Sequence, residues 1–542
     1  MKESKPARVR VGSLLATPKW AWCLVAVLTV IGTAFRIKAF GASMFGDELS
    51  TIWIVKGNSL GEVISRVYSD SEITPPFYFV LAWLSTKLGS DPALVRLPAL
   101  IAGVASIPVV YALGVKMVGR YGALAATAIV TFSPFFIAYS AIGRAYSLGI
   151  LMLFASTLFM LVAIERRHWG WWFLYAVFSG LAIYSHYTMV FVLIGQFLWL
   201  LWAHPRARRA ALLANIGAAC FFLPWFPGFV ADNSSITTPI TEAIQGYGLH
   251  AKLVAVEQML FYQASVWNWE ISGRVDVWLI TIASIAAGVG ALYRGLTGKV
   301  GWTLTGAIDR GLALALVISL STLAGEAVLL IFDSNVFGGR NLSATWAGLP
   351  FLLGGLLALN GPILGVGLLA LLVAGFGLGA VRTTDASKIS LDYKGVADYI
   401  ESIAGDGDVV LDAGHLTPAP TTSLSIYLPP SIERYSPGAS RDEPDFIQKI
   451  FLKPDPQLDV DRAFSKEGPV QVVTIVDPDW VSDRGFPLQR DVDNPLEVPP
   501  GWRITEQEVF PGAQDLVVTT FERDPNGNAG SGQSSGGPRK KR

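Results

Sequence analysis

The sequence predicts a polytopic α-helical membrane protein with about eleven transmembrane helices and a small C-terminal extracytoplasmic α/β domain. Composition comes first. Of 542 residues, 52% are hydrophobic and 15% charged, where a soluble globular chain carries roughly 25% charged residues. Mean hydropathy is +0.45. Next, long apolar runs follow one another as far as Arg382, with clusters of Lys and Arg after alternate runs. Last, the character of the chain changes after Arg382, where prolines become frequent and apolar runs become short. The formal net charge is zero, which leaves no basic footprint for nucleic acid. Cys23 and Cys220 both lie inside apolar runs, which argues against a disulfide framework and against a thiolate metal site.

Residues 1–19 are basic (Lys2, Lys5, Arg8, Arg10, Lys19) and precede an apolar run from Trp20 to Phe35. A cleaved signal could look like this, with Gly41-Ala42-Ser43 near the cleavage site. The run is long for a signal core and many spans follow, so it reads as a retained helix. The positive-inside rule then puts 1–19 in the cytoplasm and Asp47 outside. The stretch 75–88 is apolar, but its length of about 14 residues is short of the roughly 17–25 that a spanning helix needs. It opens on Pro75-Pro76, whose missing N–H groups cost little at a helix start, and it reads as an interfacial or re-entrant helix.

With 75–88 left out of the count, the remaining runs give one consistent parity. The span 93–115 delivers Lys116 and Arg120 to the cytoplasm. The pair 123–138 and 147–164 returns Glu165-Arg166-Arg167-His168 to the same side, and the pair 171–184 and 189–202 does so with His204, Arg206, Arg208 and Arg209. The spans 212–230 and 277–292 lead out and back to Arg294 and Lys299, and 312–332, 343–359 and 363–381 complete the set. Every cationic cluster then faces the cytoplasm. The transmembrane domain covers 20–382, with 41–92 as the first outer loop, expected to carry catalysis. Residues 383–523 read as a soluble α/β domain with a helix at 393–403 and strands at 409–412 and 470–476. The Gly- and Ser-rich tail 524–542 reads as disordered.

This parity gathers a short set of polar residues on the outer face: Asp47 and Glu48; Arg66, Asp70, Glu72 and Thr74; Arg96; Tyr139, Arg144 and Tyr146; His186 and Tyr187; the loop 231–274; and Asp333, Asn335, Arg340 and Asn341. Adjacent carboxylates beside a span are costly unless a partner or water meets them. A transporter would place such groups near mid-span. At the outer ends of helices they favour chemistry on a lipid-linked substrate at the membrane surface.

The motifs in these loops resemble the GT-C glycosyltransferases of the protein-mannosyltransferase-like group, which includes protein O-mannosyltransferases, the aminoarabinose transferases that modify lipid A, and rhizobial lipopolysaccharide galacturonosyltransferases. The resemblance runs from about Arg36 to Pro350. It rests on Gly46-Asp47-Glu48-Leu49-Ser50, Pro75-Pro76-Phe77-Tyr78 and Val95-Arg96-Leu97-Pro98-Ala99. It continues with Ser133-Pro134, Tyr139-Ser140, Arg144-Ala145-Tyr146-Ser147-Leu148, Tyr184-Ser185-His186-Tyr187, Leu223-Pro224-Trp225 and Gly339-Arg340. The order and spacing of these motifs are specific where each one alone is weak.

The resemblance implies a GT-C fold and a polyprenyl-phosphate sugar donor. It implies transfer with inversion to an envelope glycan, lipid or protein acceptor on the outer face, with no nucleotide sugar in the site. Two departures stand out. Many relatives read His-Pro-Pro or Lys-Pro-Pro where this chain has Thr74-Pro75-Pro76, and the lysine form contacts the lipid phosphate in the aminoarabinose transferases. Many read Ser-Gln-Glu-Ala-Arg where it has Ser140-Ala141-Ile142-Gly143-Arg144.

A lipid phosphate is already a fair leaving group, so the reaction needs a base for the acceptor and cations for the departing phosphate. Asp47 is the expected base, with Glu48 as its catalytic neighbour, although adjacent helical residues do not share a face. Glu48 could equally bind a sugar hydroxyl or hold a helix. Arg144, Arg340 and Arg96 are the expected phosphate ligands, since a guanidinium fork matches phosphate oxygens; Arg96 could instead pin a helix start. Glu72, Tyr146, His186 and Tyr187 are expected at the substrate. Trp267 and Trp269 suit an aromatic belt better than a sugar platform. No cofactor and no metal are expected. The competing readings are a non-enzymatic lipid or polysaccharide transporter and an inactive envelope scaffold.

Overall fold

The computed structural model describes residues 18–44, 46–68, 72–233, 248–262, 274–298, 307–385, 390–405, 407–413, 422–435, 456–476, 499–512, 514–525 and 539–540. Asp70, Trp267, Trp269 and nearly all of the N-terminus and the tail lie outside these residues.

The chain is a multi-pass helical membrane protein with a C-terminal sheet domain. Among the described residues, eight helices are long and apolar enough to cross a membrane: Lys19–Phe40 (α1), Pro92–Met117, Tyr146–Arg166, Pro205–Asp232, Val275–Leu296, Arg310–Ile331, Asn341–Leu359 and Pro362–Thr383. The other three of the eleven expected spans fall on shorter helices, so length alone supports eight. One is broken into Gly119–Phe132 and Pro134–Tyr139. Pro134 cannot donate into the preceding turn, and the Ser133 hydroxyl caps the new helix by accepting from the Phe136 N–H. The others are Trp169–Ser185 and Met189–Ala203, separated by the non-helical His186–Thr188. The stretch expected not to span forms the short apolar helix Phe77–Leu88.

The helices pack by close backbone approach, as expected where lipid supplies no hydrophobic drive between them. A Cβ on Gly354 would lie 2.3 Å from the Gly122 carbonyl oxygen, so these two helices touch backbone to backbone. Arg36, wholly buried in α1, knits three helices. It donates to Gly32 O, Val130 O and Ser140 Oγ at 3.0–3.2 Å and lies 5.3 Å from the Phe136 ring centre. At one end of the bundle Lys116 pairs with Glu165 at 2.5 Å, so these two helix ends face the same side, as the charge parity requires.

Among the described residues, the C-terminal domain holds a six-stranded mixed sheet in the order β2-β1-β3-β5-β4-β6. Its strands are β1 Val409–Asp412, β2 Glu433–Tyr435, β3 Val470–Val476, β4 Trp502–Phe510, β5 Asp515–Arg523 and β6 Arg539–Lys540. β1 runs parallel to β2 and β3, in register Val409 with Val470 and Leu411 with Val472, while β5 is antiparallel to β3 and β4. Alternation along β1 and β3 divides the core. Val410, Val473 and Ile475 pack under the helices Tyr393–Ile403 and Ser423–Tyr427. Val409, Leu411, Val470 and Val472 pack with Val460 and Ala463 on the other face.

Candidate active site

The site is built where α1 ends and a nine-residue helix, α2 (Asp47–Val55), begins. Gly46 precedes it at φ +63°, a conformation that favours glycine, and the turn sets Asp47 at the first position of α2. Free backbone N–H groups and the helix dipole at that end favour a carboxylate.

One residue on, Glu48 points into the protein. Its Oε1 accepts from Arg96 Nε at 2.6 Å and from the Gly143 N–H at 2.6 Å, and its Oε2 accepts from Arg96 Nη2 at 2.5 Å. Arg96 also donates from Nη1 to the carbonyls of Phe40 and Ala42 at 2.6 and 2.7 Å, and from Nη2 to Ser43 O at 3.3 Å. A guanidinium has five N–H donors, and each finds an acceptor here. This corrects the expectations for both residues. The Arg96 side chain is 3% exposed and has no donor left for a phosphate, and the Glu48 side chain is 5% exposed with both oxygens taken by Arg96 and the Gly143 N–H. Gly143, within the motif that departs from the relatives at Ile142, belongs to the same arrangement, since a Cβ there would lie 3.2 Å from Glu48 Oε1.

Asp47 meets a different arginine. Arg340 Nη1 donates to its Oδ2, yet 39% of the Asp47 side chain and 58% of the Arg340 side chain stay open. Arg144 completes the cationic surround, forking onto Glu72 at 2.5 and 2.9 Å and reaching Thr74 Oγ1 at 3.2 Å. Glu72 also accepts from Ser50 Oγ at 3.2 Å. The Thr74 departure thus supplies a small acceptor that Arg144 can reach. Desolvation pushes the Asp47 carboxyl up, but Arg340 and Arg144 outweigh it and hold the group below the ordinary carboxylate range. Asp47 in turn raises the pKa of Arg340.

Aromatic side chains flank this pair. Tyr139 lies edge-on to Tyr146 at 4.5 Å and to Tyr262 at 6.0 Å, and both Tyr139 and Tyr146 fall within electrostatic range of Asp47 and Arg340. His186 lies 5.5 Å from the Tyr146 ring. Its Nδ1 is 2.9 Å from Thr188 Oγ1, which donates to Asn341 O at 3.0 Å and so ties this loop to the residue after Arg340. Burial, and then Arg144, depress the imidazole to about 4, which keeps it neutral. Tyr187 turns elsewhere: it accepts from Trp225 Nε1 at 2.9 Å and donates to Asp232, a network apart from Asp47. Arg66 likewise turns away, donating to Trp53 O at 2.6 Å.

The structure therefore gathers Asp47, Arg340, Arg144, Glu72, Tyr146 and His186, and it leaves Glu48, Arg96 and Tyr187 in supporting networks. Sequence reasoning missed Tyr262, which ends a helix in a stretch without a motif. Among the described residues, no group of three or more His, Cys, Asp or Glu could hold a metal ion.

Residues 74–227 match the family model described as dolichyl-phosphate-mannose-protein mannosyltransferase. The segment includes Arg96, Arg144, Tyr146, His186 and Tyr187 and excludes Asp47 and Arg340. No protein of curated function matches the sequence. Among solved structures, the chain is similar to the archaeal oligosaccharyltransferase AglB from Archaeoglobus fulgidus in complex with an inhibitory peptide and a dolichol-phosphate. That likeness has a TM-score of 0.46 and 11% identity, over 84% of this chain and 69% of that one. It is also similar to ArnT from Cupriavidus metallidurans. In the apo state the TM-score is 0.40 at 14% identity, over 92% of this chain and 98% of that one. Bound to undecaprenyl phosphate, the values are 0.38 and 16%, over 93% and 98%.

Proposed function

We propose that the protein is a membrane glycosyltransferase that moves a sugar, with inversion, from a polyprenyl-phosphate donor to an acceptor in the cell envelope, on the extracytoplasmic face. The single observation that carries this reading is the half-open Asp47–Arg340 pair beside Arg144 and the tyrosines. It joins a carboxylate able to take a proton to cations able to take a phosphate, within a chain whose residues 74–227 follow a lipid-phosphate-sugar transferase family.

In this mechanism the acceptor oxygen forms a bond to the sugar C1 as the bond from C1 to the phosphate oxygen breaks. Asp47 takes the acceptor proton, and the lipid phosphate leaves with the electron pair. Arg340 and Arg144 meet the growing phosphate charge; Arg144 Nε and one Nη1 hydrogen have no hydrogen bond to a described residue. In the resting site Arg340 depresses the basicity of Asp47. An arriving phosphate competes for the exposed Arg340, so donor binding frees Asp47 to act as base. Neutral His186 and Tyr146 contact the sugar. Glu72, 5% exposed with both oxygens taken, does not reach it, contrary to expectation, and instead fixes the Arg144 guanidinium.

The test uses purified wild type and Asp47→Asn with a panel of radiolabelled polyprenyl-phosphate sugars and an envelope acceptor fraction. Wild type transfers label from one donor, and Asp47→Asn loses at least ~10³-fold in rate while keeping its melting temperature. No transfer from any donor by folded wild type would sink the enzyme reading in favour of a transporter or scaffold. Transfer retained by Asp47→Asn would remove Asp47 as the base.

A further inference from the structure

The link from α1 to α2 is short, Gly41 to Gly46, and Asp47 follows immediately. Two opposed sets of groups hold it. From the membrane domain, Arg96 takes the carbonyls of Phe40, Ala42 and Ser43. From the C-terminal domain, Tyr427 Oη accepts from the Met44 N–H at 2.7 Å, and the Lys394 N–H donates to Ser43 Oγ at 3.2 Å. Met44 is 1% exposed, so its N–H has no water to fall back on.

Both groups from the C-terminal domain sit on capped helices. Lys394 lies in the first turn of the helix Tyr393–Ile403, where backbone N–H groups lack partners within the helix, and Asp392 caps that turn through the Gly395 N–H. Tyr427 closes the helix Ser423–Tyr427, whose start is fixed by a reciprocal capping box of Thr422 and Ser425. Ile426 and Tyr427 pack on the main apolar cluster of the membrane domain, and Tyr427 also packs on the core of its own domain. Tyr427 is within electrostatic range of Arg96 and Glu48, so the two sets of groups meet around the same few residues.

We infer that the C-terminal domain is a positioning element for the site: Tyr427 and the Lys394 amide clamp Ser43–Met44 and thereby set where the Asp47 carboxylate stands relative to Arg340 and Arg144. This rests on the glycosyltransferase reading for its catalytic consequence, and on the contacts alone for the clamp. The physical reason is tolerance. A catalytic group works only when held near its productive geometry, and a misplacement of ~1 Å can cost ~10²-fold in rate. The link runs from a membrane helix end to a glycine at φ +63°, and the contacts from Tyr427 and Lys394 add to the hold that Arg96 has on it. A partner that displaced the C-terminal domain would alter turnover without entering the site.

The experiment uses the full chain, with Tyr427→Phe, which keeps the ring and removes the acceptor, and Ser43→Ala, which removes the second contact. Three readouts are taken: kcat and donor KM separately, hydrogen–deuterium exchange over residues 42–50, and the melting temperature. Tyr427→Phe is expected to lower kcat by ~10-fold with donor KM within about twofold, and to speed exchange in 42–50 by a similar factor. Ser43→Ala should show the same pattern at about half the size on a logarithmic scale. Wild-type exchange and kcat in both variants would overturn the clamp. So would faster exchange spread over the whole membrane domain with a large loss of melting temperature, which marks a merely structural contact. If wild type transfers no sugar, the functional reading fails, and the exchange arm still decides the clamp.

Discussion

Two acidic residues, adjacent in sequence, have opposite surroundings. Glu48 and Arg96 form a closed pair in which every guanidinium donor is used and neither side chain exceeds 5% exposure. Asp47 and Arg340 form an open pair joined by a single hydrogen bond, with 39% and 58% of the side chains exposed. A closed pair fixes geometry, because breaking it strands a buried charge. An open pair can be exchanged for a ligand's charges at little cost, because exposed ion pairs are worth little on their own. Under the proposed function, the second kind is the one suited to chemistry and the first to scaffolding.

The largest effect that separates the two pairs is on folding. Arg96→Met leaves Glu48 buried without its cation and should destabilise the protein by about 3–5 kcal/mol, read as a lower melting temperature in detergent. Arg340→Met, on the exposed pair, should leave the melting temperature almost unchanged. Equal losses in the two variants would erase the distinction between the pairs.

The next effect is on rate and pH. Arg340→Gln should lower transfer by about 10²-fold through loss of phosphate stabilisation. The acidic limb of its pH–rate profile should also move upward. The sign follows from Arg340 and Arg144 outweighing desolvation at Asp47, so that its folded pKa lies below the unfolded value. The ionised base therefore persists down to low pH and is lost as pH falls through that depressed value, and removing Arg340 raises that point. The same linkage gives Asp47 a contribution to stability that is present above its unfolded pKa and lost as pH falls through the folded one. A limb that stays in place in Arg340→Gln would detach the titrating base from Asp47.

The smallest effect concerns the aromatic network. Tyr187→Phe removes hydrogen bonds to Trp225 and Asp232, apart from the Asp47 pair. It should cost about 1 kcal/mol in stability, with donor KM and kcat within about twofold of wild type. A tenfold rise in donor KM would return Tyr187 to the substrate contacts.

Much of the molecule was legible in the sequence because it follows from local rules. Hydrophobic run length located the spans, charge parity put Lys116 and Glu165 at one end, and the C-terminal helix at 393–403 and strands at 409–412 and 470–476 fall where residue patterns put them. β4 was not legible, because in Trp502–Phe510 the four consecutive polar residues Thr505 to Glu508 break the apolar alternation of a strand and the register shifts between Ile504 and Glu506, so its order comes from pairing with β5. The count of eleven spans rested on apolar run length and charge parity, neither of which registers a break inside a run. The structure shortens three of them where Pro134 and the His186–Thr188 connection interrupt the helix.

By itself the sequence determined that this is a multi-pass membrane protein with a motif-bearing first loop, because apolar length, charge asymmetry and glycine-flanked carboxylates act through nearest neighbours. Tertiary structure alone decided which carboxylate meets a half-exposed cation and which a buried one. The partners of Glu48 come from Arg96 and Gly143, that of Asp47 from Arg340, and the hold on Ser43–Met44 from Lys394 and Tyr427. Contacts across such sequence distances are set by how the helices and the C-terminal sheet pack, and no local pattern along the chain encodes them.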